Sequence, residues 1–302
     1  MLDLIAIGTI SIDFFFRGES LTEDNERFHL ALGGKYVADE LYEGVGGGGA
    51  NVAIGAKHFG LDVAVFGLMG DNPFKEVILH ALNQNGIHTH LIQVKKDYFS
   101  ISSILLSKTG DRSVIHYESP HEDLFTKMKD KHDLLDCSAV YLGNLPDISL
   151  VERTELLKFV RENGIMTFLN LGVHDLRKSK DELMPLISFA DVLILNGHEF
   201  AELMKKKYEE IRFESDITVE EPILHKRVVI ITDGEKGSYS YEKGLVYRQE
   251  AVRPEKILDT TGAGDGYSAG FIVQYLKSKD VKKSMRQGAE YASTILSKIG
   301  AN

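Results

Sequence analysis

The residues best suited to chemistry lie near the C-terminus, in the run Asp259-Thr260-Thr261-Gly262-Ala263-Gly264-Asp265-Gly266. The residues that follow, 267–276 (YSAGFIVQYL), read as a mostly buried helix. A glycine-rich turn that opens a helix leaves several main-chain N–H groups without an intrahelical acceptor. The helix dipole adds partial positive charge at the same place, so the turn suits an anion such as a phosphate. Into that setting the sequence puts the carboxylate of Asp265. Beside a phosphate a carboxylate is repulsive, unless it accepts the proton of a hydroxyl that attacks the phosphorus. A lone Gly-x-Gly-Asp is better explained as a capped helix start with glycines for close packing.

Other stretches offer matching parts. Residues 44–60 (GVGGGGANVAIGAKHFG) hold four consecutive glycines, among them Gly47 and Gly48, which let the backbone approach a ligand closely. Asn51 follows with both a donor and an acceptor. Gly44, Gly46 and Gly49 also satisfy the dinucleotide-binding spacing. The glycines do not follow the first strand, however, and Asp62 comes only about 13 positions on rather than about 20. Asp13 lies just past the apolar run 2–7, where ligands gather in open α/β sheets, and a turn-capping Asp is an equal reading by position alone. Asn196 and Glu199, three apart after a strand, supply oxygens suited to a hard divalent cation, or simply a helix cap. Thr232-Asp233-Gly234-Glu235-Lys236-Gly237 closes another strand. His88 and His90 alternate on one strand face, but no third metal ligand is visible, so they read as surface histidines.

Elements that position these residues follow from periodicity. Apolar runs at 2–7 and 63–66 read as buried parallel strands, and residues 72–85 as an amphipathic helix stopped by Gly86. Residues 17–43 do not read as a helix. They carry short alternating pieces such as 28–32, expected as strands that stand off the main sheet. Strands are also expected over 87–94, 100–107 and 112–117, with a turn at Lys108-Thr109-Gly110-Asp111. In that hairpin Arg112 could reach substrate, but a solvated side chain is the better reading. From residue 138 strands and helices alternate, which demands a parallel sheet with helices on both faces.

The composition bounds the rest. With 302 residues, 43% hydrophobic and 26% charged, the chain holds a large core and is expected to form a single domain, 1–302. A net charge of −10 with no basic block argues against nucleic acid as partner. One cysteine, Cys137, allows no intrachain disulfide and fits a reducing cytoplasm. The N-terminus does not read as a signal peptide, and no membrane span is expected.

The run from Asp259 to Gly270 resembles the C-terminal signature of the ribokinase-like, or PfkB, family of carbohydrate kinases. Gly47 to Asn51, Ala53, Gly60 and Gly70 fit that family's N-terminal signature. The resemblance implies a three-layer α/β/α fold with a mostly parallel central sheet and a small β-sheet lid, formed by about residues 11–43 and 87–118. It implies Asp265 as catalytic base, with the amides of Gly262, Ala263, Gly264 and Asp265 as the anion hole. By the same resemblance Asp13, Gly47, Gly48 and Asn51 contact the sugar. Asn196 and Glu199 organise Mg²⁺ and the phosphates, and Thr232, Gly234 and Gly237 contact ATP. A monovalent cation such as K⁺ near Asp259 and Thr261 is a further family expectation. Exposed lid edges make a homodimer through the lid strands an expectation as well. The chain departs from the family in two places. Its glycine cluster lacks the usual charged or amide residue, and Asn170-Leu171-Gly172 replaces Asp-x-Asn-x-Arg. A nucleoside kinase and a non-catalytic sugar-binding member are the alternatives.

Overall fold

The structure, a computed structural model, describes residues 1–302 except 25–26, 108–109, 122, 126–127 and 129–130. Part of the expected turn at 108–111 therefore lies outside the described residues. The chain opens with β1 (Leu2–Ile7), β2 (Ser11–Arg17), β3 (Glu23–Asp24), β4 (Arg27–Phe28), β5 (Glu40–Gly46) and α1 (Gly48–His58). It continues with β6 (Val63–Phe66), β7 (Leu68–Gly70), α2 (Lys75–Gln84), β8 (Gln93–Lys95), β9 (Ser100–Leu106) and β10 (Arg112–Glu118). Then follow β11 (Cys137–Leu142), α3 (Leu150–Glu162), β12 (Met166–Leu169), α4 (Val173–Leu176), α5 (Lys180–Ile187), β13 (Val192–Asn196) and α6 (Gly197–Met204). The last elements are α7 (Pro222–His225), β14 (Val228–Thr232), β15 (Ser238–Glu242), β16 (Leu245–Gln249), α8 (Ala263–Ser278) and α9 (Val281–Leu296).

Among the described residues the main sheet has eight strands in the order β16-β15-β14-β13-β12-β11-β1-β6. It is parallel from β14 to β6, and the β15–β16 hairpin closes one edge antiparallel. Alternate side chains of β1 feed two cores. Ile5 and Ile7 join the cluster with α3, α5 and α6, whereas Leu4 and Ala6 join the one with α1, α8 and α9. Burial on both faces is why these strands read as continuous apolar runs. The result is the expected three-layer α/β/α architecture. β1 leads through α1 to β6 on one side, while β11 leads through α3 to β12 on the other, so the strand order reverses between β1 and β11. In open α/β sheets the crevice outside such a reversal is where ligands bind.

A second sheet, β10-β9-β2-β5, stands apart. The register Asp13↔Ser102↔His116 and Asp13↔Gly44 places those four residues on one face of it. Two expected strands are formed only at one end, at Phe28 in β4 and at Gln93–Val94 in β8. Residues 28–32 leave Leu30 49% and Leu32 105% exposed, so their alternation faces no core. Residues 87–92 carry a single bridge, Ala64 to His88, because Ile87 and Leu91 are buried against the main body without strand partners.

Helix starts follow local rules. Ser149 Oγ accepts from Glu152 N at the start of α3, and Ser179 with Glu182 forms a capping box for α5. Helices α1 and α8 approach closely because Gly55 lacks a side chain; a Cβ there would lie 2.7 Å from Ala269 Cβ. One feature has no sequence signal. Arg153 of α3 makes a bidentate pair with Asp175 of α4 at 2.6 and 2.7 Å, with both residues wholly buried.

Candidate active site

Gly262 caps α8 in the left-handed conformation (φ +73°), and a Cβ there would lie 2.2 Å from Ala301 Cβ. Its glycine is therefore structural. Gly266 is structural too, since a Cβ would meet Ile295 at 2.8 Å. Gly264 differs: a Cβ would meet nothing within 4 Å. Packing does not require glycine there, and the open space beside its amide is what an approaching anion needs. Ala263 begins the same turn. The loop before it is held by Asp259, which is wholly buried and accepts from Thr261 N and Oγ1 and from Gly300 N.

Asp265 lies in the first turn of α8, half-buried. Asn51 Nδ2 of α1 donates to Asp265 Oδ2 at 2.7 Å, and a Cβ on Gly48 would lie 3.6 Å from Asp265 Oδ1. Two glycine-rich helix starts, far apart in sequence, thus meet at one carboxylate. Burial pushes the Asp265 carboxyl above its ordinary range; the Asn51 donor and the Arg112 charge oppose this, and the Asp13 charge adds to it. Asn302 Nδ2 also reaches Asn51 Oδ1 at 3.2 Å and Val45 O at 2.7 Å. Gly47 at φ +90° would place a Cβ 2.4 Å from Thr9 O, so it lets the chain turn tightly into α1.

Asp13 faces the same space from β2. It is buried and accepts from Ser11 Oγ at 2.8 Å. Burial raises its carboxyl, against the hydrogen bonds of Ser102 and Ser11 and the charge of His116. His116 Nδ1 lies 3.1 Å from Ser102 Oγ, which links the imidazole to that group.

Asn196 and Thr232 are register neighbours at the ends of β13 and β14, which brings both expected nucleotide motifs side by side. Asn196 Oδ1 accepts from Glu199 N, and Glu199 Oε2 accepts from Asn196 N, both at 2.8 Å. That capping box leaves the second oxygen of Glu199 available. Burial raises the Glu199 carboxyl, with Asp265 adding its charge. Gly234 has open space where a Cβ would sit, whereas Gly237 is forced, since a Cβ would lie 2.1 Å from Gln249 O. Among the described residues no group of three or more His, Cys, Asp or Glu could hold a metal ion alone. A hard cation held mainly by phosphates and water needs only one or two protein oxygens, so the set fits Mg²⁺ in that mode.

Sequence reasoning missed four partners. Tyr141 of β11 is wholly buried, and its phenol is pushed well above its usual range by burial, with the charges of Asp265 and Glu199 adding. In sequence it is one more apolar strand residue. Arg112, read as solvated, donates from Nη1 to Thr260 Oγ1. Lys236, inside the run 232–237, donates to Tyr208 OH at 2.5 Å. Tyr208 in turn donates to Asp233 at 2.6 Å and stacks on His198 with ring centroids 4.3 Å apart.

Fold and site together define a sugar or nucleoside kinase of the ribokinase type. The fold matches the crystal structure of Methanocaldococcus jannaschii nucleoside kinase with a TM-score of 0.76, at 21% identity over 100% of this chain and 93% of that one. It matches Arabidopsis thaliana ribokinase complexed with ribose and ATP at 0.77, with 21% identity over 99% and 94%. Among curated relatives, a 5-dehydro-2-deoxygluconokinase of Geobacillus thermodenitrificans is 28% identical over 311 residues, covering 98% of this chain and 88% of that protein. The nucleoside kinase of Methanocaldococcus jannaschii is 23% identical over 309 residues, covering 99% and 92%. The chain belongs to the pfkB family carbohydrate kinases, whose profile matches residues 1–302. It is a phosphotransferase with an alcohol group as acceptor. No helix among the described residues is long and apolar enough to cross a membrane.

Proposed function

We propose that this kinase transfers the γ-phosphate of ATP to a hydroxyl of a sugar or sugar-like substrate held between the glycine turn of α1 and the four-stranded sheet, which serves as a lid. The observation that carries this reading is the position of Asp265, at an open helix start and against Gly48 and Asn51. Asp265 accepts the proton of the attacking hydroxyl. The amides of Gly262, Ala263, Gly264 and Asp265 stabilise charge on the moving phosphoryl group. Asp13, Gly47, Gly48 and Asn51 orient the acceptor. Glu199 and Asn196, with Thr232, Gly234 and Gly237, hold the nucleotide end. Mg²⁺, when bound there, neutralises charge on the phosphate oxygens. Asp259 and Thr261 mark where a monovalent cation such as K⁺ would sit on main-chain oxygens. A reducing, cytoplasmic setting suits the single cysteine, buried at Cys137.

A sugar is favoured over a nucleoside by the lid's inner face. Asp13, Ser102 and His116 are hydroxyl-binding groups there, while Phe14 and Phe16 lie on the opposite face and Phe15 is buried against Ile104 and Leu106. Phe15, on the inner face with Asp13, is the one ring of β2 there, and it is packed into that aliphatic cluster rather than open to a base. The test is ADP release from MgATP with a panel of aldoses, ketoses, aldonates and nucleosides, in wild type and Gly264→Ala. Sugars or aldonates should turn over. The variant should melt at the same or a higher temperature, since alanine is the better helix former by about 0.5–1 kcal/mol, yet turn over about tenfold more slowly or worse. Turnover of nucleosides alone would reverse the substrate assignment, and an unimpaired variant would remove the anion hole from Gly264.

The lid's outer face suggests the assembly. Leu41 is 61%, Ile115 64% and Tyr117 58% exposed, and among the described residues β10 and β5 are the edge strands of that sheet. We infer that a second copy covers this face. Sedimentation velocity should show a dimer that Ile115→Glu dissociates, and a monomeric wild type at micromolar concentration rules it out.

A further inference from the structure

Residues 300–302 touch both halves of the site. Gly300 N donates to Asp259 Oδ2 at 2.9 Å, and Ala301 is the neighbour that leaves no room for a side chain on Gly262. Those two contacts hold the loop that opens α8. The third goes to the other half. Asn302 Nδ2 donates to Val45 O of β5 at 2.7 Å and to Asn51 Oδ1 of α1 at 3.2 Å. Asn51 Nδ2 in turn donates to Asp265 Oδ2 at 2.7 Å. Two amides and a carboxylate are thus joined in one run of hydrogen bonds.

The direction of that run is set at Asn302. An asparagine side chain has a donor end and an acceptor end, and turning it exchanges them. Val45 O can only accept, so it holds Asn302 with Nδ2 inward. Asn51 must answer with Oδ1, which leaves its own Nδ2 facing Asp265. Asn51 is buried, so each end of its amide depends on these partners. An amide free to turn would serve both forms of a carboxyl group: its nitrogen binds the carboxylate, and its oxygen binds the hydroxyl of the acid. Held at its oxygen, Asn51 serves only the carboxylate.

We propose that Asn302 is a positioning residue that acts through Asn51 on Asp265: it fixes the Asn51 amide in the one orientation that favours an ionised carboxylate there. That this carboxylate is the base rests on the kinase reading above; the orientation does not. Other groups bear on Asp265 as well. Burial and the charges of Asp13 and Glu199 favour the acid, whereas the charge of Arg112 and the Asn51 donor favour the carboxylate. Tyr141, pushed far up by burial, faces it as a neutral phenol.

Carboxyl carbon NMR spectra of aspartate-labelled protein test this in the ligand-free enzyme, where the Asp265 signal is the one missing from Asp265→Asn. Wild type, Asn302→Leu and Asn302→Gln are titrated. Asn302 is exposed, so neither change opens a hole in the core, and the melting temperatures should agree. Leucine has a similar volume and no donor, so Asp265 should titrate about half to one pH unit higher than in wild type. Glutamine restores an amide donor and should bring the midpoint most of the way back. With MgATP and the acceptor of highest turnover in the panel above, the acid limb of kcat/KM should move in step, since it reports the free enzyme. An unchanged Asp265 midpoint in Asn302→Leu overturns the inference. So does an equal rise in both variants, which would assign the effect to loosened packing rather than to an amide donor. A midpoint that shifts as expected while the acid limb stays in place upholds the inference and refutes Asp265 as the base.

Discussion

Asp265→Asn is expected to keep the fold and nucleotide binding and to lose turnover by at least ~100-fold. The amide is isosteric and its oxygen can still accept from Asn51 Nδ2, so the α1–α8 junction is preserved while the proton acceptor is gone. The pH dependence has a defined sign. Burial and the Asp13 charge raise the Asp265 carboxyl in the folded protein, and the base must be ionised to work. Wild-type turnover should therefore fall on acidification through a pKa above the ordinary carboxylate value, and the limb should vanish from the residual rate of the variant. Stability responds in the opposite direction. A raised folded pKa means that the ionised carboxylate is disfavoured in the native state, a penalty present above that pKa and absent below the unfolded value. Asp265→Asn should thus melt at or above the wild-type temperature at pH 7 and lose any advantage at low pH. Near-normal turnover in the purified variant would dismiss the base assignment.

Asp175→Asn should have the largest effect on stability and little on chemistry. Arg153 and Asp175 are wholly buried and joined by two short hydrogen bonds, with Lys178 Nζ adding a third to Asp175 Oδ1. Removing the carboxylate's charge leaves a buried guanidinium uncompensated, which costs about 3–5 kcal/mol. For a chain of this size that corresponds to a melting temperature lower by roughly 10 °C. By contrast, the exposed pair Arg253–Glu235 should contribute nothing measurable. Chemical denaturation monitored by circular dichroism measures the loss, and turnover per folded molecule should be retained. A loss below about 1 kcal/mol would mean that water or backbone reaches Arg153.

What could be read from the sequence was what is local in it. Strands 2–7, 63–66 and 228–232 announce themselves because burial on both faces makes them continuously apolar. The anion-hole turn and the glycine cluster are each contiguous, so residue types and spacing were enough to propose their chemistry. The contacts between them were not legible. Arg112 passes for a solvated hairpin arginine because its partner Thr260 is 148 residues away. Tyr141 looks like core, and it is core; only the fold brings the charges of Asp265 and Glu199 to bear on it. The expected strand at 87–94 formed only at its end, in β8, for a related reason. Its apolar residues are buried against the main body, a demand that periodicity cannot distinguish from strand pairing.

The bond from Asn51 to Asp265 spans 214 residues of chain. A growing polypeptide still on the ribosome can complete the glycine turn of α1 and most of the sheet while owning only half of its chemistry. Recovery of turnover after refolding should therefore lag behind recovery of secondary structure, because it reports the final docking of α8 onto α1 rather than the earlier collapse.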